Sequence, residues 1–145
     1  MKSPENRSEN YERNDTTAAH NIPDYRTVLI QRTVRSGQTI RYPGNVVVMG
    51  DVNPGAEIVA GGNIIVMGSL RGIAHAGAAG NTKAVVAAFR LQPTQLRIAN
   101  HITRAPDGEN WSPEQPEIAY IKDGVVLIDP YITSGEGYLS MLKFK

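Results

Sequence analysis

The chain has 145 residues, enough for one domain with a sizeable core, and 15 Lys and Arg nearly cancel 14 Asp and Glu to leave a net charge of +1. With no block of like charge it carries no nucleic-acid-binding arm or acidic tail, and with no cysteine it can form neither a disulfide nor a thiolate metal site. No run approaches the roughly 18 apolar residues of a membrane span, and MKSPENRSEN at the start has no apolar signal-peptide core, so a soluble cytoplasmic protein is expected.

Residues 1–21 hold only Met1, Tyr11, Ala18 and Ala19 as apolar side chains. Such a segment buries too little surface to offset its ordering entropy, and it is read as a disordered linker. From Ile22 aliphatic residues recur every six positions: Ile22, Val28, Val34, Ile40, Val46, Val52, Ile58, Ile64, Leu70, Ala76. Six is a multiple of two, so these side chains share one face of short extended segments. A second inward row lies two residues on, at Ile30, Val48, Ala60, Val66 and Ala78.

Turn residues fall between the hits, at Ser36-Gly37, Pro43-Gly44-Asn45, Asn53-Pro54-Gly55, Gly61-Gly62-Asn63 and Gly77 to Asn81. Three sixes make the 18-residue offset at which GNVVVMGDV (44–52) returns as GNIIVMGSL (62–70). The economical architecture is an all-β parallel β-helix, a triangular solenoid of about 18 residues per coil. It predicts columns of Val28 over Val46 over Ile64, Ile40 over Ile58 over Ala76, and Val34 over Val52 over Leu70.

After Asn81 the repeat weakens. RLQPTQLRIAN reads as one more strand and turn, and DGENWSPEQPE (107–117) as an irregular connection. IAYIKDGVVLIDPYI reads as a hairpin about Lys122-Asp123-Gly124 and as the cap that an open-ended solenoid needs. The domain is taken as 22–136, with residues 137–145 as a tail. GYLSMLKFK is read as a packed or frayed end rather than an amphipathic membrane contact.

Residues that perform chemistry are scarce. GAAGNTK (77–83) has a lysine after glycines, but Asn81 and Thr82 precede it and Ala84 follows, which is not a phosphate-binding loop. His20, His75 and His101 lack partners at metal-ligand spacing, and Asp51 and Glu57 sit in successive turn regions without further support as a catalytic pair. His75, the one histidine within the repeat, is a general-base candidate only if the fold is an acyltransferase solenoid. No cofactor, no metal and no enzymatic activity is expected.

A corner stands out instead. At 18 residues per coil, Arg35-Ser36-Gly37-Gln38 stacks on Asn53-Pro54-Gly55-Ala56, and that on Arg71-Gly72-Ile73-Ala74. The column offers forked donors and little bulk, which suits docking of a protein better than catalysis.

VRSGQ (34–38) followed by NPGAEIVAGGNIIVMGSLRGIAHAGAAGN (53–81), with IDPY near the end, resembles the C-terminal domain of MinC, the bacterial cell-division inhibitor. The likeness runs from about Arg26 to Tyr131. It implies a right-handed β-helix that forms a homodimer through one prism face. It also implies binding to the ATPase MinD, which holds the protein peripherally at the inner membrane, and negative regulation of FtsZ ring assembly and septum placement. The MinD-contact motif carries over to Arg35, Ser36, Gly37 and Gln38, and the glycine of the next coil's turn to Gly55; Asn53 and Arg71 are added as further contacts from the stacking. Where some members have an aspartate this chain has Gly61, and Ile73 stands where some have an arginine implicated in FtsZ contact. The family's N-terminal domain is not represented, so contact with FtsZ is expected to be weak. Two other readings fit an 18-residue solenoid: a hexapeptide-repeat acyltransferase using His75, and a bactofilin-like filament subunit.

Overall fold

The structure, a computed structural model, describes residues 26–103 and 115–131. The linker assigned to 1–21, most of the 107–117 connection, the Ile22 hit and the 137–145 tail lie outside the described residues.

Eleven strands form: β1 (Thr27–Ile30), β2 (Thr39–Tyr42), β3 (Asn45–Val48), β4 (Glu57–Ala60), β5 (Ile64–Leu70), β6 (Ile73–Ala76), β7 (Val86–Leu91), β8 (Gln95–Ile98), β9 (His101–Thr103), β10 (Glu117–Lys122) and β11 (Val125–Pro130). They wind into a parallel β-helix with three sides. The first sheet has the order β1-β3-β5-β7-β10-β11 and the second the order β2-β4-β6-β8-β9. The third side is narrow, made by the bridges Val34 to Val52 and Val52 to Leu70, and continued by the pairing of Leu70 with Leu91.

Alternation drives this arrangement. In β3 and β4 every second side chain is buried, so Val46, Val48, Ile58 and Ala60 face the axis. Each coil then places the same aliphatic type over the last. Val28, Val46 and Ile64 stack in parallel register as the spacing predicts, and so do Val34, Val52 and Leu70. Burying one such side chain contributes about 1.5–3 kcal/mol.

Two expectations are corrected. The column above Ile58 is Ala74, not Ala76. Six positions separate Val52 from Ile58, but only four separate Leu70 from Ala74, so the third coil's corner is reduced to Arg71-Gly72 while Ile73 and Ala74 already belong to β6. Ala78 is exposed rather than inward. It belongs to a longer loop: four positions separate Ala60 from Ile64, whereas ten separate Ala76 from Val86. GAAGNTK is that insertion, turned by Gly77 and Gly80 at positive φ and closed by bonds from Gly80 N to Gly77 O and from Lys83 N to Asn81 Oδ1.

Corners between the two sheets are satisfied by an asparagine column. Asn45 Oδ1 accepts the Asn63 N–H at 2.8 Å, and Asn63 Oδ1 accepts the Val85 N–H at 2.8 Å, so each side chain ties its own coil to the next. On the third side Asp51 Oδ1 accepts the Ser69 N–H in the same way, at 2.8 Å.

The capped end forms as the hairpin signal predicts. β10 runs antiparallel to β7, and β11 antiparallel to β10. Lys122 pairs with Val125 across Asp123-Gly124, both at positive φ, which is the arrangement of a type I′ hairpin turn. The second sheet ends at the turn read at the close of RLQPTQLRIAN, and there β9 folds back antiparallel on β8 through Ala99-Asn100, with Ala99 at φ 53°. A left-handed alanine is strained relative to glycine. Ala99→Gly is expected to raise stability by about 1 kcal/mol, read as a higher denaturation midpoint.

Candidate docking site

The site is built from two stacked turns. Arg35 O accepts the Gln38 N–H at 2.9 Å, and Asn53 O accepts the Ala56 N–H at 3.0 Å, so each four-residue stretch is a β-turn. Gly37 (φ +87°) and Gly55 (φ +89°) occupy the third position of their turns, where a type II turn needs positive φ; Pro54 pre-sets the second position of the upper turn. The turns are joined by a bond from Gly37 N to Gly55 O at 2.9 Å.

Their packing is close on one side and open on the other. A Cβ at Gly55 would collide with Ser36 Oγ and lie 3.1 Å from Ser36 Cβ, whereas one at Gly37 would meet nothing within 4 Å. Gly55 is therefore the seat on which Ser36 rests, and Gly37 is the open tip. Arg35, Ser36, Gly37, Gln38 and Gly55 are all exposed, and Asn53 is half-buried beside them. Five of the residues assigned from the motif thus meet at one corner, where the narrow third side joins the second sheet.

The structure adds a residue that sequence reasoning missed. Gln38 Oε1 accepts the Arg35 N–H at 2.8 Å and also a bond from Arg32 Nη1 at 3.1 Å. The glutamine folds back to brace the turn, and Arg32 braces the glutamine. Arg32 falls at no repeat position and has no motif of its own, so only the fold reveals it. The Arg35 and Arg71 guanidinium groups, by contrast, make no hydrogen bond or ion pair among the described residues and stand free in solvent. Arg71 is on the same side two coils on, since Arg35, Asn53 and Arg71 each follow one of the bridged residues Val34, Val52 and Leu70.

His75 lies elsewhere, on the outer face of the second sheet. Its Nε2 is 2.9 Å from the Ala99 carbonyl oxygen, an acceptor, so Nε2 carries the proton there. Arg97 Nε donates to the same oxygen at 3.2 Å. The ring thus fastens the Ala99 reversal, and among the described residues no carboxylate bonds to it. Asp51 and Glu57 serve the third side and the second sheet, and the described residues hold no cluster of His, Asp and Glu that could bind a metal ion.

A second feature is the outer face of the first sheet. Leu29, Val47, Ile65, Ala87 and Ile118 form one row across it by register, with Met49, Met67 and Phe89 two residues further along their strands. Leu29, Met49 and Phe89 are each about half exposed, an apolar face that a solvated sheet would normally cover with polar groups. In the cap, Tyr120 donates to Asp129 Oδ2 at 2.5 Å; burial first and that bond second push its hydroxyl pKa up to about 12. Among the described residues no helix is long and apolar enough to cross a membrane.

The domain is thus a β-helix with a braced, polar, glycine-tipped corner and an apolar flank. The model of the family "Septum formation inhibitor MinC, C-terminal domain" matches residues 28–131, and the chain belongs to that family. Among its relatives, the probable septum site-determining protein MinC of Heliobacterium modesticaldum is 69% identical over 115 residues, covering 79% of this chain and 40% of the relative. The corresponding protein of Clostridium novyi is 58% identical over 107 residues, covering 74% of this chain and 50% of the relative. The chain spans about half the length of the curated relatives it matches. A solved chain from the "MinC:MinD cell division protein complex" of Aquifex aeolicus superposes with a TM-score of 0.71 at 40% identity, covering 81% of this chain and 93% of that one.

Proposed function

We propose that the domain is a non-enzymatic recruiting module that docks on the ATPase MinD through the corner of Arg35, Ser36, Gly37, Gln38 and Gly55, with Asn53 and Arg71 at its margin. The observation that carries this reading is the stacked turn pair: its tip is exposed, its backbone is braced by Gln38, and its arginine side chain has no partner among the described residues. A flat, glycine-tipped surface lets a partner backbone approach closely, and a free guanidinium supplies a bidentate donor for a carboxylate or a carbonyl. The likeness to a chain from a MinC:MinD complex supports MinD as that partner.

On this reading MinD carries the domain from the cytoplasm to the inner membrane, where it contributes to inhibiting FtsZ ring assembly and septum placement, with only weak contact to FtsZ of its own. The homodimer that the resemblance implies is assigned to the outer face of the first sheet. A two-fold axis there would set the patch of Leu29, Met49, Ile65, Met67 and Phe89 against the same patch of a second copy and bury the apolar face described above. Sedimentation equilibrium of the whole chain is expected to give a dimer, and a monomer at micromolar concentration contradicts that assignment.

Co-sedimentation with MinD on lipid vesicles tests the docking. The wild-type chain is expected in the pellet with ATP and in the supernatant with ADP, and Arg35→Ala is expected in the supernatant in both. If wild type stays in the supernatant with ATP, or Arg35→Ala pellets as wild type does, the reading fails.

A further inference from the structure

A corner of five residues is too small to hold a protein partner alone. A stable interface buries about 800 Å² on each side, some 20–30 residues, so docking must spread along the prism from Arg35. Continuity allows two directions, onto the second sheet or along the third side. The outer face of the second sheet beside the corner carries Glu57, Val59 and Ile73, mixed in character. The third side carries Arg35, Arg71 and Arg90, all exposed, against one carboxylate, Asp51, which is engaged by the Ser69 N–H.

Arg90 is placed there by an irregularity. β7 pairs with β5 in one register through Ala88 and in a register shifted by one residue from Arg90, which sets Arg90 beside Ser69 and Leu91 beside Leu70. The shift sets the exposed Arg90 one coil beyond Ser69, at the edge of the third side next to the first sheet, while Gln92 follows Leu91 as Arg71 follows Leu70. Like Arg35 and Arg71, its guanidinium has no hydrogen bond or ion pair among the described residues. Strands in adjacent coils lie about 4.8 Å apart, so the three residues span the first, third and fourth coils, about 14 Å along the axis, with Arg35 and Arg71 on the second-sheet edge of the third side and Arg90 on its first-sheet edge.

We propose that the docking surface runs the length of the third side and that Arg90 is a partner contact on it, facing exposed carboxylates of the protein docked at Arg35. This rests on the MinD reading above. Among the described residues the three guanidinium groups have no hydrogen-bond or ion-pair partner, and together they match an acidic protein surface by charge.

The test titrates the whole chain against MinD on vesicles with ATP and compares Arg90→Glu with Arg41→Glu, an equal charge change on the outer face of the second sheet. Arg90→Glu is expected to weaken binding tenfold or more, with a thermal midpoint close to wild type, while Arg41→Glu binds within about twofold of wild type. Raising the ionic strength is expected to narrow the gap between wild type and Arg90→Glu. If Arg90→Glu binds as wild type while Arg35→Ala does not bind, the extension along the third side is wrong and the corner reading stands. If Arg35→Ala also binds as wild type, the corner reading falls and the extension with it. If wild type pellets with phosphatidylglycerol vesicles without MinD and Arg90→Glu does not, the arginine column reads lipid phosphate and the proposal is overturned.

Discussion

An Ile64→Ala substitution is expected to destabilise the domain by about 2–5 kcal/mol, seen as a clear fall in the denaturant midpoint at unchanged slope. Ile64 has no exposed surface. It sits between Val46 in the coil below and Val86 in the coil above, so truncation opens a cavity with walls on both sides. In a solenoid each coil contacts only its neighbours, and a cavity in the third coil weakens the one path that couples the first two coils to the capped end. Ile102→Ala is the matched control. That side chain is 51% exposed on β9, and its loss is expected to cost less than about 1 kcal/mol. Equal losses from the two substitutions would mean that the stacked columns are not what holds the coils together.

The largest effect on binding is expected from the two corner glycines, for different reasons. Gly55→Ala places a methyl group against Ser36 at a φ that alanine tolerates poorly, so the upper turn must move and the lower turn loses its seat. Gly37→Ala meets the same backbone strain, about 1–2 kcal/mol, but its methyl group points into open space. Both variants are expected to lose MinD binding tenfold or more, Gly55→Ala by disordering Ser36 and Gly37→Ala by occupying the place where the partner's backbone approaches. Thermal melting separates the mechanisms, because Gly55→Ala is expected to melt at the lower temperature. Unchanged binding by Gly37→Ala would show that no partner comes close to the tip.

Much of this architecture is legible in the sequence because the six-residue spacing reports directly on what faces the axis. The columns through Val46 and Val52 stand as the spacing predicts. The spacing fails above Ile58 for a physical reason. A strand repeats every two residues, so Ala74 and Ala76 are both inward, and shortening the corner by two residues leaves the pattern intact while the register moves. Periodicity detects a change of face but not a slip of two. The antiparallel return of β9 is hidden for another reason: Ala99 takes a conformation that usually announces itself with glycine.

The candidate corner divides in the same way. Arg35 to Gln38 and Gly55 are found by motif and by the 18-residue offset, and the stacking of Gly55 on Ser36 is the contact that the offset implies. Arg32 and Arg90 are not. Arg32 acts through a side chain six residues on, and Arg90 reaches the third side only because β7 drops one residue from its register. A repeat analysis reports neither a side-chain contact within one coil nor a one-residue slip between coils.

Cysteine footprinting of the corner tests the account most directly, because the chain has no cysteine of its own to interfere. Ser36→Cys and Val59→Cys, the second on the outer face of the second sheet, are to be alkylated with N-ethylmaleimide in the presence of MinD and vesicles and read by mass spectrometry. The account predicts that Cys at 36 is protected with ATP and not with ADP, while Cys at 59 reacts equally in both. Full reactivity at 36 under conditions where the protein co-sediments with MinD, or protection at 59 instead, would contradict it.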